Sequence, residues 1–419
     1  MSPEAKERRR SLTSELEPHE LELELEEEEL DEEERAEERA EEAREDERVG
    51  GFAALLQDRR KLATGFGLFV VLVVGIYILF PKLVGLDDSL AKLDEATWYW
   101  VVVGLLFMVV QFAAYVALFR GVLGGTGVDE VRRRLDVRAS YEITMAGLAA
   151  TRIFSAAGAG GIAITYWALR KAGMPRRRSA CRMVAFIALT YAVYTGALVL
   201  FGVLLRSGVL PGSAPFGGTV IPAAVAGGVI ALFLLVALIP EDVERRMAEL
   251  GKRARFFARF AKGPATVATG VRTAIAYVRH PKRGALAVSG AIGFWAAQIG
   301  VLWASFEAFG GDVPFAVLVQ GFFVGMAANL APSPAGGVGS VDAGMIAAFV
   351  LFDIPSEVVF PAVLMYRVIA FWIPIPPGVV AYFQLRRTVN GWEGERAREG
   401  DAASGVYTSK SKVTAAEAR

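Results

Sequence analysis

Six apolar stretches, each long enough to cross a hydrocarbon layer, recur along this 419-residue chain and decide what it can become. They run over about 62–84, 97–119, 181–205, 219–239, 285–309 and 358–384. A hydrocarbon core of roughly 30 Å takes about 20 residues of helix. No water is present there to satisfy backbone N–H and C=O groups, so a single segment that crosses must satisfy its own as a helix. With 54% hydrophobic residues, the chain reads as an all-α polytopic membrane protein.

Six full spans put both ends on one side. The basic flanks are Arg59, Arg60 and Lys61, then Arg132 to Arg134 with Arg138, then Arg170, Lys171 and Arg176 to Arg178, the link 240–284, and Arg386 with Arg387. The positive-inside rule makes these cytoplasmic. The opposing connections are poor in basic residues: Asp87 to Glu95 is acidic, 206–218 is mostly Gly, Pro and Ser, and 310–314 carries only Asp312. Both termini are therefore expected in the cytoplasm.

Two further apolar segments, 141–169 and 313–350, then have to begin and end on the same side, the first inside and the second outside. Each has room for two short helices around a Gly- or Pro-rich apex, Ala156 to Gly161 in one and Pro332 to Gly339 in the other. The expectation is a pair of re-entrant hairpins of opposite orientation, with a pair of full short spans as the alternative. Irregular backbone at membrane depth is tolerated only where protein or a wet cavity surrounds it, so both apices are expected in the interior.

The two segments also read alike. GLAATRIFSAAGAGGIA from Gly147 and GMAANLAPSPAGGVGSV from Gly325 align without gaps at Gly147/Gly325, Ala149/Ala327, Ala150/Ala328, Ser155/Ser333, Ala157/Ala335, Gly158/Gly336 and Gly161/Gly339. Chance likeness between Ala/Gly-rich stretches is the plain alternative. Opposed direction and shared sequence together favour an inverted repeat, with repeat one at 97–205 and repeat two at 285–384. Such repeats with broken helices build sites at mid-membrane.

The formal charge of zero hides an asymmetry: residues 1–48 carry 22 acidic against 8 basic residues. Long Glu blocks with almost no aromatics repel one another and bury no core, so residues 1–58 read as an acidic, disordered cytoplasmic tail. The N-terminus has no apolar core of a cleavable signal peptide, and the first span is expected to target the chain. Residues 389–419 read as a disordered end to a membrane domain spanning 59–388. The link 240–284 mixes basic residues with Phe256, Phe257, Phe260 and Tyr277. It is expected to form an amphipathic helix pair on the cytoplasmic surface, attracted to anionic lipid. Nucleic acid is a poor partner for a short basic link held at a membrane.

One cysteine, Cys181, excludes an internal disulfide, and His19 and His280 leave too few ligands for a zinc site. No GxxxxGK[ST] loop occurs, so nucleotide hydrolysis by the chain is not expected. Charges inside apolar segments are costly and are functional candidates by default. They are Arg152 in the first arm of hairpin one, Asp342 after the apex of hairpin two, Arg367 in the last span and Glu307 near the outer end of the span before hairpin two. A guanidinium at that depth matches a phosphate with two parallel hydrogen bonds. An Arg367–Asp342 structural ion pair is the competing reading, and Glu142 or Glu307 are candidate partners for Arg152. Gln111, Gln298, Gln320 and Asn329 fit helix-to-helix hydrogen bonding. Short helices ending at the glycine apices add exposed N–H groups and positive dipole ends for an anionic headgroup, although small-residue packing also explains the glycines.

At these residues the chain resembles the lysylphosphatidylglycerol synthase membrane-domain family, the flippase-like part of the bacterial multiple-peptide-resistance factor. The resemblance covers about residues 60–388. It is carried by the small-residue hairpin with Tyr166-Trp167-Ala168-Leu169-Arg170 and Gly173-Met174-Pro175, by Pro332-Ser333-Pro334-Ala335-Gly336-Gly337-Val338-Gly339 with Asp342, and by Tyr366-Arg367. The family's usual form is P-x-P-G-G-x-G with a glutamate shortly after. Here Ala335 lengthens the loop by one residue and Asp342 stands where glutamate is common.

No room for a soluble aminoacyl-transfer domain is seen after residue 388, so the resemblance implies translocation without synthesis, through a midplane cavity in a bacterial plasma membrane, of a phosphate-bearing lipid, with aminoacylated and glycosylated forms among the candidates. The expected substrate-binding set is Arg152, Ser155, Gly158 and Gly161 from hairpin one, with Asn329, Ser333, Gly336, Gly337, Gly339 and Asp342 from hairpin two, and Tyr366 and Arg367 from the last span. No catalytic residue, metal or cofactor is expected. The expected partner is a membrane phospholipid or carrier lipid, and a homo-oligomer is a further candidate. An enzyme or helper of lipid-carrier modification, and a secondary transporter of a small solute, are the alternatives.

Overall fold

Proline and glycine set where the helices begin and how closely they approach. The computed structural model describes residues 96–124, 129–153, 159–238, 252–330 and 337–417. The acidic segment and the expected span at 62–84 lie outside the described residues, as do Ser155, Gly158, Ser333 and Gly336. Among the described residues every regular element is a helix. In chain order these are α1 (Trp98–Phe119) with a π-helical turn at Arg120–Gly124, α2 (Asp129–Arg134), α3 (Val137–Ile153) and α4 (Ala159–Lys171). Next come α5 (Arg176–Arg206), α6 (Phe216–Ala237), α7 (Lys252–Arg279) and α8 (Pro281–Ala308). Then follow α9 (Phe315–Met326) with a 3-10 turn at Ala327–Leu330, α10 (Ser340–Leu351), α11 (Ser356–Arg367) with a π-helical turn at Val368–Trp372, and α12 (Ile375–Glu417).

Five of these helical stretches are long and apolar enough to cross a membrane: Trp98–Gly124, Arg176–Arg206, Phe216–Ala237, Gly284–Ala308 and Ser356–Glu395. They coincide with the expected apolar runs from 97–119 onward. On α6, Ile221, Val225, Leu232, Leu234 and Leu235 are all exposed, a face that water disfavours and acyl chains accommodate.

Helices α1 and α8 run antiparallel in close contact. A Cβ added at Gly300 would lie 2.6 Å from the Phe107 ring, one at Gly293 3.1 Å from Ala114, and one at Gly121 2.5 Å from the Ala287 backbone nitrogen. The Thr97 N–H donates to the Ala308 carbonyl at 3.0 Å and closes the end of the pair. Small residues permit this approach, and dispersion between the two backbones follows from it.

The two aligned segments each form two antiparallel helices. In α3/α4, Gly147 faces Gly161 and Thr165, Gly160 faces Ala150, and the Gly161 N–H donates to Thr151 Oγ1 at 3.0 Å. In α9/α10, Gly325 faces Met345, Gly344 faces Ala328, and Gly321 faces the Phe349 ring. The aligned glycines Gly147 and Gly325 each face the second helix of their own pair. Gly161 and Gly339 differ: Gly161, expected at the apex, is the third residue of α4, whereas Gly339 is the N-cap of α10. The connection in the second pair is longer, and the ungapped likeness ends there.

The main apolar core joins α5, α8, α9, α10 and α11 through Leu198, Trp295, Phe306, Phe322, Phe323, Met345, Phe349 and Tyr366. Polar groups within it are bonded across helices. Trp295 Nε1 donates to the Thr190 carbonyl at 2.9 Å. Pro222 inside α6 supplies no N–H to the Gly218 carbonyl four residues back, and Gln320 Nε2 donates to that carbonyl instead at 3.0 Å. This is the neutral role expected for Gln320.

One boundary differs from expectation. Helix α12 does not stop at 388: Val389 and Trp392 are buried, and Lys171 Nζ meets Glu393 Oε1 at 2.6 Å. Sequence polarity after Asn390 hid this, because one buried residue per turn is enough to dock an otherwise polar helix. Within the link, the described part is one helix, α7, of 28 residues. It is fixed to the bundle where Gly270 packs on Val184 and where the Tyr277 hydroxyl and the Val122 carbonyl both meet Arg182.

Candidate functional site

The chain between α11 and α12 reads VIAFWIPIPPG, and its prolines govern what surrounds it. Pro374 has no N–H to give the Ala370 carbonyl four residues back. Across 374–377 only Ile375 carries an N–H, so the Ala370 and Phe371 carbonyls share at most one main-chain donor there. Carbonyls left without a donor in an apolar interior cost about 1–3 kcal/mol each. Arg152, at the last turn of α3, fills both places: Nη2 donates to Ala370 O at 2.8 Å and Nη1 to Phe371 O at 2.6 Å. The end of hairpin one is thereby tied to the last span.

Hairpin two reaches the same turn from its other side of the sequence. Gly337 and Gly339 sit at φ +90° and +84°, the left-handed region that glycine adopts without a Cβ clash. Asp342, at the third position of α10, accepts the Gly339 N–H on Oδ2 at 2.8 Å, which is the reciprocal half of a capping box. Its other oxygen meets Arg367 Nε at 2.6 Å. Arg367 Nη2 also donates to the Gly337 carbonyl at 3.1 Å. The Arg367–Asp342 ion pair, one of the two readings of these residues, is present and nearly buried.

Phe371 is where the two hairpins meet. The Arg152 guanidinium carbon lies 4.9 Å from its ring centroid and the Arg367 carbon 4.3 Å, so the two cations are no more than 9.2 Å apart. Val338, Phe371 and Ile375 form a small buried cluster with Ile153 and Trp372 against it. At an effective dielectric of about 20, two like charges at that distance repel by roughly 2 kcal/mol. The ring faces offset part of this through cation–π attraction.

Neither carboxylate considered for Arg152 is its partner. Glu142, fully buried, receives Arg138 Nε at 2.9 Å and Thr388 Oγ1 at 2.6 Å. Glu307 receives Trp303 Nε1 at 3.1 Å, one turn back on its own helix. Arg152 is held by carbonyl dipoles and an aromatic ring, and among the described residues no carboxylate neutralises it.

The remaining expected residues divide between the site and the scaffold. Asn329 is exposed in the 3-10 turn, with Oδ1 beside Gly337. Tyr366 is buried in the main core, donates to Gln298 Oε1 at 2.9 Å and stands edge-on to Phe322. Gly161 belongs to the α3/α4 contact and is a packing residue. Sequence reasoning missed Phe371 and Ser340. Ser340 opens α10 next to Gly339, and its buried hydroxyl has no partner among the described residues. For Phe371 the sequence signal that could have pointed to it is the neighbouring proline run, Pro374, Pro376 and Pro377.

Together these elements define a multi-pass helical membrane protein whose two small-residue hairpins converge on a buried, arginine-rich junction. The chain matches the family described as Lysylphosphatidylglycerol synthase TM region over residues 63–378 and belongs to that family. No curated protein matches it.

Proposed function

We propose that this protein is a lipid flippase or lipid-linked transporter that moves a phosphate-bearing lipid between leaflets of a bacterial plasma membrane. Family membership supports a lipid-related role in the membrane. The observation that carries the proposal is the meeting of Arg152 and Arg367 at Phe371, where among the described residues one carboxylate, Asp342, pairs with Arg367 and none pairs with Arg152. An anion entering there relieves the repulsion of the two guanidiniums, and N–H···O contacts of about 2.8 Å from either side suit a phosphate. The lipid's acyl chains remain in the bilayer while its headgroup passes the junction.

The hairpins are re-entrant in this reading. Helices α9 and α10, of 12 residues each, reach only about 18 Å, well short of a hydrocarbon core of roughly 30 Å. The inverted repeat draws support from the antiparallel packing of α1 on α8, the first helices of the two units. Broken helices meeting near mid-depth then give alternating access by rocking one unit against the other. Cytoplasmic termini follow from the basic flanks.

The protein acts by transport and leaves its lipid chemically unaltered. Asp342 is committed to Arg367 and Gly339, and Glu142 to Arg138 and Thr388, which leaves neither free for acid–base work. The test is reconstitution of the full chain in vesicles carrying a headgroup-labelled phospholipid, with a membrane-impermeant quencher added outside. Faster loss of inner-leaflet label than in protein-free vesicles, with the lipid recovered intact, is expected. A recovered lipid with an altered headgroup favours the enzyme reading, and unchanged leaflet exchange removes the transport reading.

A further inference from the structure

We infer that the junction selects headgroups carrying one net negative charge and rejects net cationic ones. This rests on reading the junction as the headgroup site, and it adds the substrate's charge class.

The argument is a census of charge at low dielectric. Across 141–169, 313–350 and 358–384 the Asp, Glu, Lys and Arg side chains are Glu142, Arg152, Asp342 and Arg367. The loop residues outside the described set, 154–158 and 331–336, contain none. Glu142 is neutralised by Arg138 and bonded to Thr388 on α12, and it contributes nothing to the junction. Arg367 is matched by Asp342. Arg152 remains, so among the described residues the junction holds one positive charge in excess.

Carbonyl dipoles stabilise that charge without cancelling it. Of the five N–H donors on a guanidinium, Arg152 commits two, to Ala370 and Phe371, and three are left for a ligand. Ser340 adds an unpartnered buried hydroxyl at the first position of α10, a 12-residue helix whose N-terminal end carries partial positive charge. A monoanionic phosphodiester brings the junction to neutrality. A zwitterionic headgroup leaves one charge in excess, and a headgroup with an added amine leaves two, at a depth where each uncompensated charge is costly.

The experiment is native mass spectrometry of the detergent-purified full chain with equal amounts of phosphatidylglycerol, phosphatidylethanolamine and lysyl-phosphatidylglycerol. The expected result is about tenfold or greater retention of phosphatidylglycerol over the other two, the discrimination that one charge-assisted hydrogen bond supplies. Arg152→Gln is expected to abolish the preference and Arg152→Lys to keep it, with unfolding temperatures of both variants measured alongside. If Arg152→Gln does not fold, the wild-type ranking and the lysine variant still decide. Retention of the lysyl lipid equal to that of phosphatidylglycerol overturns the inference. A preference unchanged in Arg152→Gln belongs to the basic surface helix and also overturns it. Glycerophosphoglycerol, the same headgroup without acyl chains, is included as a fourth probe. Its binding as tightly as the lipid assigns the junction to a soluble anion and overturns the lipid assignment. Charge-selective binding without leaflet exchange would leave this inference standing and remove the transport reading, and unselective exchange would do the reverse.

Discussion

Arg367 and Asp342 join the last span to the tip of the second hairpin through a contact of 2.6 Å, with side chains only 5% and 15% exposed. Asp342 simultaneously holds the Gly339 N–H, so one carboxylate fixes both the start of α10 and the cation it faces. Removing one member of such a pair leaves an uncompensated buried charge, at a cost of about 3–5 kcal/mol. Asp342→Asn and Arg367→Met are each expected to lower thermal stability in detergent by that order. The double variant Asp342→Asn/Arg367→Met should lose less than the sum of the singles, which a double-mutant cycle of unfolding measures directly.

Arg152 has a structural debt to Pro374. Arg152→Ala exposes the Ala370 and Phe371 carbonyls and should cost about 2–3 kcal/mol. Pro374→Ala restores an N–H within reach of Ala370. Combining the two is expected to recover part of the stability lost in Arg152→Ala while leaving the charge missing. Thermal unfolding of the three variants checks this, and simple additivity would disconnect the guanidinium from the proline.

The same logic away from the junction provides a control. Gln320→Leu removes the donor that serves the Gly218 carbonyl, with an expected loss of about 1–3 kcal/mol. Pro222→Ala should offset it. Because Gln320 lies in the scaffold, its variant is expected to change unfolding temperature with lipid preference intact.

The glycines of the two hairpins are separable by what an added methyl would meet. At Gly325 it would fall 2.6 Å from the Met345 Cα, and at Gly160 2.8 Å from the Ala150 carbonyl oxygen, both backbone atoms that cannot swing aside. At Gly147 the nearest atom would be 3.4 Å away. Gly325→Ala and Gly160→Ala are expected to destabilise by about 1–3 kcal/mol, and Gly147→Ala to be tolerated. Unfolding curves of the three purified variants decide whether these glycines serve packing.

Much of the fold was legible because lipid and backbone leave few choices: a long apolar run becomes a helix, and five of the six runs appear as such among the described residues. Gly147 and Gly325, aligned in the sequence, each sit where two short helices touch. Gly161 was placed at a bend and instead packs inside α4, because composition reports that close approach is permitted and not which atoms approach. At the junction, Arg152, Asp342 and Arg367 stood out as charges in apolar segments. Phe371 did not, for a phenylalanine in an apolar span carries no distinguishing signal until two guanidiniums are found over its ring. The docking of α12 past residue 388 rests on buried Val389 and Trp392 and on the Lys171–Glu393 ion pair, too sparse a pattern to read from a polar segment.

The central claim is that a lipid headgroup passes the Arg152–Phe371–Arg367 junction. The most direct test is the rate of leaflet exchange of headgroup-labelled phosphatidylglycerol in vesicles containing wild type, Arg152→Gln, Arg152→Lys or Gln320→Leu, each confirmed folded before reconstitution. The account predicts that exchange falls at least about tenfold in Arg152→Gln, is largely retained in Arg152→Lys, and is unaltered in Gln320→Leu. Exchange by Arg152→Gln at the wild-type rate would contradict it.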